Sequence, residues 1–499
     1  MKNTKAPFSK CGIVALAALI VILGWETLTV FKLDFAPVHD YAADMLLANL
    51  IRDEGVLLVG HYSRFGFHHP GPFWFYWNHI LEMCFTWLGL TRFQIWTLGS
   101  VIINAALLFF SARGLSQYLF DKIKYEVVFI LTAVLLVTVG GDFLATWMPD
   151  RLVATYIAFF VCLVNISRAN LSYLPWAVVF AAMLVHGYVT MPVLTLPPML
   201  LSFAAAFVFK RHEITKHELA KRLLQSSLIA IIFIAPLAID ALLSPDSNLT
   251  KIIAAQNTLS NSPKPSWSDL IGFYNQLVFD QPYSIILYWA SLFAIVPLFI
   301  LREWKTLTRL VGIVFFYAFI TALIIAYYKT TPAPLYPFVA RFYVGLPAIL
   351  IVSVWCALVD AIGQLSPFTR LVAKTAIIIA LVFSLFISKQ HVNPIWADPE
   401  DTVPIRSLAD HIQQHNKNDK IIVLNYSQHE QWGIMAGLML ELDRRQIHSC
   451  TTWAQMGFLY TQRMICAPEA KPDFMIVKST ECKGECITET KGLGLMSFK

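Results

Sequence analysis

Two aspartates and two histidines near the N-terminus are the residues best placed to do chemistry. Asp40 and Asp44 are four residues apart, so they share one face if residues 40–54 form a helix. A carboxylate at the start of such a helix can accept a proton as a general base. His68 and His69 begin the stretch HHPGPFWFYW, and a histidine can stabilise a developing negative charge. The alternative for Asp40 is an acid that only stabilises the helix dipole.

The segment that carries the two acids has the pattern of an amphipathic helix. Over residues 40–54 an apolar stripe that includes Tyr41, Met45 and Ile51 runs beside polar residues. Gly55 follows directly and suits the left-handed conformation of a helix C-cap. The pattern therefore predicts a helix that begins near Asp40 and ends at Gly55.

A second element follows the histidines. Residues 71–90 are rich in Trp and Phe but contain Asn78, His79 and Glu82. An acid or base at the centre of a bilayer costs about 2.5–3.5 kcal/mol on insertion scales, and Trp and Tyr favour the membrane interface. We therefore expect a helix that lies at the membrane surface or dips into it.

The whole composition is that of a membrane protein. The 499 residues are 57% hydrophobic and only 14% charged, whereas charged residues make up about 25% of soluble domains. The net charge of +6 is modest, and basic residues in a membrane protein mostly set its orientation, so no nucleic-acid partner is implied. The sequence has no zinc-type cysteine pattern, Walker loop or GxGxxG motif.

Repeated apolar runs predict an all-α polytopic membrane protein with about eleven spans. The first run reads as an uncleaved helix, since it is long enough to span and no signal-type cleavage site follows it. The predicted spans lie near 11–31, 94–112, 125–146, 153–167, 173–190, 191–209, 223–243, 283–301, 310–328, 342–360 and 371–388.

The distribution of Lys and Arg predicts the orientation. With eleven spans, 17 basic residues, mostly in short loops, face the cytoplasm, and nine face outward before residue 389. If 71–90 also spanned, the basic loop KRHEITKHELAKR at 210–222 would face outward, against the positive-inside tendency. We therefore expect the first loop, 32–93, a second loop, 244–282, and the C-terminal tail to lie outside.

Two domains follow from this organisation. Residues 1–388 form the predicted transmembrane domain, and residues 389–499 form a small soluble α/β domain. In the tail, KIIVLNY and DFMIVKS are typical of short buried strands, and EQWGIMAGLMLELDRR between them is typical of a helix.

Four of the eight cysteines lie in the tail: Cys450, Cys466, Cys482 and Cys486. Clustering in an outward-facing domain favours disulfides in an oxidising compartment, and free buried thiols are the alternative. Four cysteines allow three pairings, so the sequence leaves the pairing open. These features describe a bacterial inner-membrane protein with a periplasmic active face, or an archaeal or lumenal equivalent.

The order of these features resembles the GT-C superfamily of membrane glycosyltransferases, and in particular its aminoarabinose transferase and protein mannosyltransferase branches. The spacing from Asp40 to Gly55 is similar, and HHPGPFWFYW falls where the aminoarabinose transferases have Lys-Pro-Pro-Leu and Tyr-Trp. Here Tyr41 stands in place of a second acid, and His68 or His69 in place of the lysine.

Two later motifs extend the resemblance. TWMPDRLVATYIAFF at 146–160 resembles the part of the family that carries a second acid, here Asp150. VARFYVGLPAILIV at 339–352 resembles an Arg-Tyr entrance to a late span, with Phe342 inserted after Arg341. The likeness covers about residues 11–200 and 335–360.

The resemblance implies a donor sugar on a polyprenyl phosphate, undecaprenyl phosphate in a bacterium. Asp40 is then the general base for the acceptor hydroxyl. Arg341 and one of His68 and His69 would contact the phosphate. The alternative for Arg341 is an interfacial side chain that extends its charge to water. Further candidates for substrate contact are Asp44, Asp150 and Tyr76, which lies in the Tyr-Trp position.

The role of Asp150 stays open. It could position the acceptor, pair with Arg151, or help hold a metal, because oligosaccharyltransferases of this superfamily use a divalent metal bound by acids on two loops. The branches that this chain resembles more are not known to need one, so no cofactor is expected. Asp142 and Asp240, near predicted span ends, are weaker candidates.

The expected acceptor is a cell-envelope glycan or lipid, such as O-antigen or lipid A. Two other classes remain as alternatives. A flippase or transporter for a lipid-linked sugar would place its polar groups at mid-membrane, within repeated broken helices. An O-antigen ligase or polymerase would have one dominant loop late in the chain. Membrane lipids are the remaining expected partners.

Overall fold

The computed structural model describes residues 35–120, 145–279, 282–300, 303–363, 399–416, 420–453, 456–482, 486–490 and 492–498, with isolated positions within 24–32, 127–135 and 368–375. The helices are α1 (His39–Glu54), α2 (Phe73–Phe85), α3 (Arg92–Phe120), α4 (Met148–Ile166), α5 (Leu174–Gly187), α6 (Met191–Lys210), α7 (Lys216–Leu243), α8 (Asn248–Ser260), α9 (Trp267–Phe279), α10 (Pro282–Ile300), α11 (Trp304–Thr330), α12 (Gly345–Gly363), α13 (Pro399–His415), α14 (Trp432–Arg444) and α15 (Gly457–Tyr460). The strands are β1 (Ile422–Tyr426), β2 (Ser449–Thr451), β3 (Phe474–Lys478), β4 (Cys486–Thr490) and β5 (Leu493–Ser497).

The helical class predicted from the apolar runs is confirmed. Eight of the predicted spans coincide with helices α3 to α7 and α10 to α12. The other three, near 11–31, 125–146 and 371–388, lie largely outside the described residues. Within the part of the chain that is described, six helices are long and apolar enough to cross a membrane, and two shorter apolar helices run over Leu171–Gly187 and Ile285–Ile300.

The chain forms two compact units. We call Met1–Leu28 with Thr97–Asn393 the helical unit, and Thr29–Trp96 with Pro394–Lys499 the mixed unit. The mixed unit thus joins most of the first long loop to the C-terminal tail, although more than 290 residues separate them in sequence.

Helix α4 is the central element of the helical unit. Every side chain from Met148 to Ile166 is buried. Glycines allow neighbouring segments to approach it closely, because an added Cβ at Gly345 would lie 2.6 Å from Cγ1 of Ile157 and one at Gly114 would lie 2.5 Å from Cγ1 of Val161. Small residues serve the same purpose wherever membrane helices cross at short distance.

A five-stranded sheet organises the mixed unit, in the order β2-β1-β3-β5-β4. Strand β1 is parallel to β2 and β3, whereas β5 is antiparallel to β3 and β4. The two strands and the helix predicted in the tail are therefore confirmed as β1, β3 and α14. The sheet together with α14 confirms that the tail belongs to the predicted α/β class.

Helix α1 shares one hydrophobic core with this sheet. The core includes Ala42 and Leu46 from α1, Leu424 from β1 and Met439 from α14. Helix α14 approaches α1 closely because Gly437 has no side chain: an added Cβ there would lie 2.9 Å from the carbonyl oxygen of Pro37. The segment that carries Asp40 and Asp44 is thus held by the C-terminal domain.

The four tail cysteines form two disulfides, Cys450–Cys466 and Cys482–Cys486. The first bridges strand β2 to the segment that leads towards β3, and the second joins Cys482 to the first residue of β4. The predicted disulfides are therefore confirmed, and the pairing that the sequence left open is resolved.

Candidate active site

Asp40 lies in the first turn of α1, at a sharp change in backbone direction. His39, the first residue of the helix, has a φ of 50°, a left-handed conformation that is uncommon for a residue other than glycine. The helix then runs through Ala, Leu and Met, which favour helical structure, and ends at Gly55 with a φ of 78°. The predicted helix over 40–54 and its glycine C-cap are both confirmed.

The segment after α1 folds back as a short hairpin. The amide of Gly60 donates to the carbonyl of His69 at 2.8 Å, and the amide of His69 donates to the carbonyl of His61 at 2.7 Å. The turn closes where Ser63 donates its amide to Phe67 at 2.7 Å. This hairpin brings His61 and its neighbour Tyr62 beside the acidic face of α1.

The hydroxyl of Tyr62 donates a hydrogen bond to Oδ1 of Asp40. Tyr62 is itself buried, and its ring meets those of Trp432 and Phe458 with centroids 5.9 and 6.1 Å away. Burial, followed by the negative charge of Asp40, raises the pKa of Tyr62 far above its usual value, so its hydroxyl remains a donor. Asp40 is partly exposed, and one of its oxygens is held in a defined direction.

Asp44, one turn further along α1, is buried and pairs with His61. Nδ1 of His61 contacts Oδ1 of Asp44, and both residues are less than a tenth exposed. Burial alone would lower the pKa of His61, but the charge and hydrogen bond of Asp44, with the charge of Asp40, outweigh it and raise that pKa. The pair is a buried contact between an aspartate and a histidine.

The two histidines singled out in the sequence point in different directions. His69 is buried, and its ring stacks on that of His61 with centroids 5.8 Å apart. Burial, together with His61 and His68, lowers the pKa of His69 well below its usual value, so its ring is neutral. His68 instead places Nε2 3.0 Å from the carbonyl oxygen of Phe458 in the C-terminal domain.

Tyr76 has a local partner in the same unit. Its hydroxyl accepts a hydrogen bond from the amide of Leu57 at 3.1 Å. Helix α2, which carries it, confirms the predicted helix within 71–90; its location at the membrane surface stays a prediction. Asn78 is buried on this helix, and Glu82 binds Arg92 at 2.6 Å.

In the helical unit, the two residues predicted from later motifs form a buried pair. Nε of Arg341 lies 3.4 Å from Oδ1 of Asp150, and their side chains are 10% and 4% exposed. Asp150 is in the first turn of α4, and Arg341 is in the 3₁₀ segment Pro337–Val344. The structure therefore gives Asp150 a partner, Arg341, that the sequence analysis did not consider.

Tyr343, two residues after Arg341, belongs to a cluster of buried and half-buried hydroxyl groups. The hydroxyl of Tyr343 lies 2.7 Å from that of Thr321, 3.2 Å from that of Tyr317 and 3.3 Å from that of Tyr274. The Arg-Phe-Tyr motif thus supplies one side chain to the pair with Asp150 and another to this cluster.

Asp240 and Asp142, the weaker candidates for a functional acid, can be located only in part. Asp240 accepts the backbone amide of Asn248 at 2.8 Å, which joins α7 to α8. Asp142 lies outside the described residues. Within the described part of the chain, the group Cys482, Cys486 and Glu489 is the one whose ligand atoms lie close enough for a metal ion, but its two cysteines form a disulfide.

His61 and Tyr62 are the functional candidates that the sequence interpretation missed. The signal was present in GHYSRFGFHH, where Gly66 allows a tight turn between two short extended segments. A hairpin there places His61 opposite His69. Recognising that these side chains contact α1 requires the tertiary fold.

Comparison with solved structures gives matches to this architecture, whereas comparison of sequences does not. No family model and no curated protein matches the sequence. The solved structure of ArnT from Cupriavidus metallidurans bound to undecaprenyl phosphate superposes with a TM-score of 0.60, at 11% identity and over 97% of both chains. Its apo form gives a TM-score of 0.60 at 10% identity over the same shares.

A further similar structure is the oligosaccharyltransferase AglB from Archaeoglobus fulgidus, in complex with an inhibitory peptide and a dolichol-phosphate. It has a TM-score of 0.48 and 10% identity, over 93% of this chain and 69% of the other.

The match to ArnT over almost the whole of both chains confirms the fold that the sequence motifs implied. This chain therefore has the same overall fold as the ArnT structures.

Proposed function

We propose that the chain is an inverting glycosyltransferase that takes a sugar from a polyprenyl phosphate, undecaprenyl phosphate in a bacterium. The acceptor is a cell-envelope glycan or lipid of the O-antigen or lipopolysaccharide type. The fold supports this proposal, since ArnT, which shares it, has been solved with undecaprenyl phosphate bound. The residues of the mixed unit supply the chemical argument.

The observation that carries the proposal is the partly exposed carboxylate of Asp40, held by the hydroxyl of Tyr62. In the proposed step an acceptor hydroxyl attacks the anomeric carbon of the donor sugar. A new carbon–oxygen bond forms on one face while the bond to the lipid phosphate breaks on the other, and the phosphate leaves with the bonding electrons. Asp40 takes the proton of the attacking hydroxyl, a role that contributes about 10²–10⁴-fold in rate.

The phosphate that leaves gains negative charge, so a cation or hydrogen-bond donor should stabilise it. Arg341 is our candidate in the helical unit, where the carboxylate of Asp150 orients its guanidinium. Among the histidines, the neutral ring of His69 suits hydrogen bonding better than charge neutralisation. The nitrogen of His68 is already close to the carbonyl of Phe458.

The two disulfides support a periplasmic location for the C-terminal domain, because structural disulfides persist in oxidising compartments. The mixed unit contains both this domain and Asp40. We therefore place the reaction on the outer face of the inner membrane, where lipopolysaccharide and its precursors are accessible.

A transfer assay tests the proposal. The full chain in detergent is mixed with undecaprenyl phosphates that carry different radiolabelled hexoses or pentoses, and with lipopolysaccharide from cells that lack the chain. Label that moves to the lipopolysaccharide with an inverted anomeric configuration supports the proposal. A flippase would move the lipid-linked sugar across a vesicle membrane without breaking its bond to phosphate, which would overturn the proposal.

A further inference from the structure

We infer that the C-terminal domain binds an uncharged oligosaccharide at the edge of its sheet where the parallel strands β1, β2 and β3 end. We call this edge the strand-end site, and it consists of Ser427, Gln428, Trp453 and Glu481. In the proposed reaction the site would hold the glycan acceptor, so that role rests on the proposed function, whereas the binding itself does not.

The arrangement of the three parallel strands makes this edge suitable for a ligand. Strand β1 is parallel to both of its neighbours, with β2 on one side and β3 on the other, so successive connections place their strands on opposite sides of β1. In open sheets of parallel strands, ligands bind outside the carboxyl ends of the strands at such a point. Neighbouring strands are about 4.8 Å apart, so the ends of β2 and β3 are separated by about 10 Å, the length of a short oligosaccharide.

Trp453, just after β2, supplies a fixed aromatic surface at this edge. Its ring stacks on that of Tyr426 with centroids 4.4 Å apart, and its indole nitrogen donates a hydrogen bond to Oδ1 of Asn425. The side chain is only half-buried, and the ring of His429 lies 6.3 Å from it. The electron-rich face of an indole attracts the C–H groups of a sugar ring, so an indole held in this way suits a sugar.

Polar side chains lie at the ends of the other two strands. Ser427 and Gln428 follow β1, and both donate hydrogen bonds to the carboxylate of Glu481, which follows β3; the bond from Ser427 is 2.7 Å long. The side-chain oxygen of Gln431 accepts from the backbone amide of Gln428 at 3.2 Å, while its nitrogen is buried and has no hydrogen-bond partner among the described residues. These groups offer the hydroxyl groups of a sugar both donors and acceptors.

The charges at the strand-end site favour a neutral ligand over a phosphate. Helix N-termini after parallel strands often bind phosphate, and α14 begins shortly after β1. Here, however, the hydrogen bond from Ser427 lowers the pKa of Glu481 below its usual value, so its carboxylate is ionised at neutral pH. Lys478 supplies one opposite charge, and Glu430 adds a second acid in the turn before α14. An anion would therefore meet no excess of positive charge among these groups.

The strand-end site lies at the same end of the domain as Asp40. Trp432 directly follows Gln431, and its ring is 5.7 Å from that of His39, the residue before Asp40. It is also 5.9 Å from the ring of Tyr62, which donates to Asp40. All of these residues belong to the mixed unit. A glycan bound at the strand ends therefore lies at the end of the domain where the acceptor hydroxyl is needed.

The test measures binding of an oligosaccharide to the full chain in detergent, without donor. The probe is a fluorescent, uncharged fragment of O-polysaccharide, released from the lipopolysaccharide of cells that lack the chain. The wild type should bind it, and Trp453→Ala should weaken binding about tenfold, a size that one aromatic contact can reach. Trp267→Ala removes an exposed indole from α9 in the helical unit and, as the matched control, should bind like the wild type. Displacement of the probe by inorganic phosphate would indicate an anion site and overturn the inference.

A second variant is needed because Trp453 also packs on the hydrophobic core of the domain. Glu481→Gln keeps the size of a half-buried side chain and removes its charge, so we expect it to fold. It should bind the probe about fivefold more weakly, because hydrogen bonds to an ionised group are roughly twice as strong as neutral ones. If Trp453→Ala does not fold, Glu481→Gln decides. Unchanged binding by either folded variant, or no binding by the wild type, would overturn the inference.

The transfer assay separates this inference from the proposed function. If the acceptor binds at the strand-end site, both variants should raise the KM for lipopolysaccharide and leave kcat nearly unchanged, since they remove binding that does not change during the reaction. A wild type that binds the probe but transfers no sugar would count against the proposed function alone. A wild type that transfers sugar, with variants that match it in probe binding and in KM, would count against this inference alone.

Discussion

Arg341 and Asp150 form a buried ion pair in the helical unit, with Nε and Oδ1 3.4 Å apart. The sequence motifs pointed to each residue separately, and the structure shows that they are partners. A buried pair of this kind stabilises little on balance, yet removing one member leaves the other charge uncompensated.

Arg341→Ala should therefore lower both stability and donor binding. Loss of one partner of a buried pair costs about 3–5 kcal/mol, measurable as a lower thermal midpoint in detergent. If Arg341 also contacts the phosphate, binding of undecaprenyl phosphate weakens, because that contact exists before as well as during the reaction. Asp150→Asn is the matched control, since it breaks the same pair but keeps the cation. Donor affinity in Arg341→Ala equal to that of the wild type would show that Arg341 has only a structural role.

The disulfides predict a specific peptide pattern. Alkylation of the unreduced chain followed by mass spectrometry should give one cross-link between Cys450 and Cys466 and another between Cys482 and Cys486. Replacing the first pair with serine should lower the free energy of unfolding by about 3 kcal/mol, since its cysteines are 16 residues apart. The second pair closes a loop of only 4 residues and should contribute less. Four alkylated thiols would contradict this prediction.

The packing of helix α14 against His39 should fix the position of the neighbouring Asp40. An added Cβ at Gly433 would lie 1.8 Å from Nδ1 of His39, the residue before Asp40. Gly433→Ala should therefore cost about 1–3 kcal/mol of stability and reduce transfer, because His39 must move. Gly272→Ala in α9 is the control, since nothing lies within 4 Å of an added Cβ there. If both variants transfer sugar equally well, the packing at Gly433 does not position Asp40.

Much of this arrangement could be predicted because its signals are local. The acidic start and the glycine end of α1 lie within sixteen residues, and β1 was predicted from the short apolar run in KIIVLNY. Strand β5 was missed because its sequence, LGLMS, includes Gly494. An added Cβ there would lie 2.1 Å from Sγ of Cys482, so the glycine accommodates the disulfide rather than a turn.

The contacts that build the site were not predictable in the same way. Tyr62 reaches Asp40 across 22 residues, and His68 reaches Phe458 across 390. Both contacts depend on how the hairpin packs on α1 and on the C-terminal domain. No periodicity within either segment encodes that packing.

The pair of His61 and Asp44 should make stability depend on pH. The fold raises the pKa of His61, so the folded state binds this proton more tightly than the unfolded chain does. The stabilisation is fully present below the unfolded value of about 6.5 and is lost as pH rises through the raised folded value. Thermal unfolding of the wild type should show this decline between neutral and alkaline pH. In His61→Gln that component of the slope should be absent; an identical slope would mean that another group causes it.

Asp40→Asn should abolish most of the transfer without harming the fold. Asparagine keeps the size of the side chain and can still accept the hydrogen bond from Tyr62, but it cannot take a proton from the acceptor. Transfer should fall about a hundredfold or more, within the range of about 10²–10⁴ for a positioned base, while donor binding and the thermal midpoint remain close to the wild type. Asp53→Asn, which removes an acid paired with Arg52 at the other end of the same helix, should transfer normally. If Asp40→Asn retains a near wild-type rate, Asp40 only stabilises the start of α1, and Asp44 or Asp150 must be tested as the base.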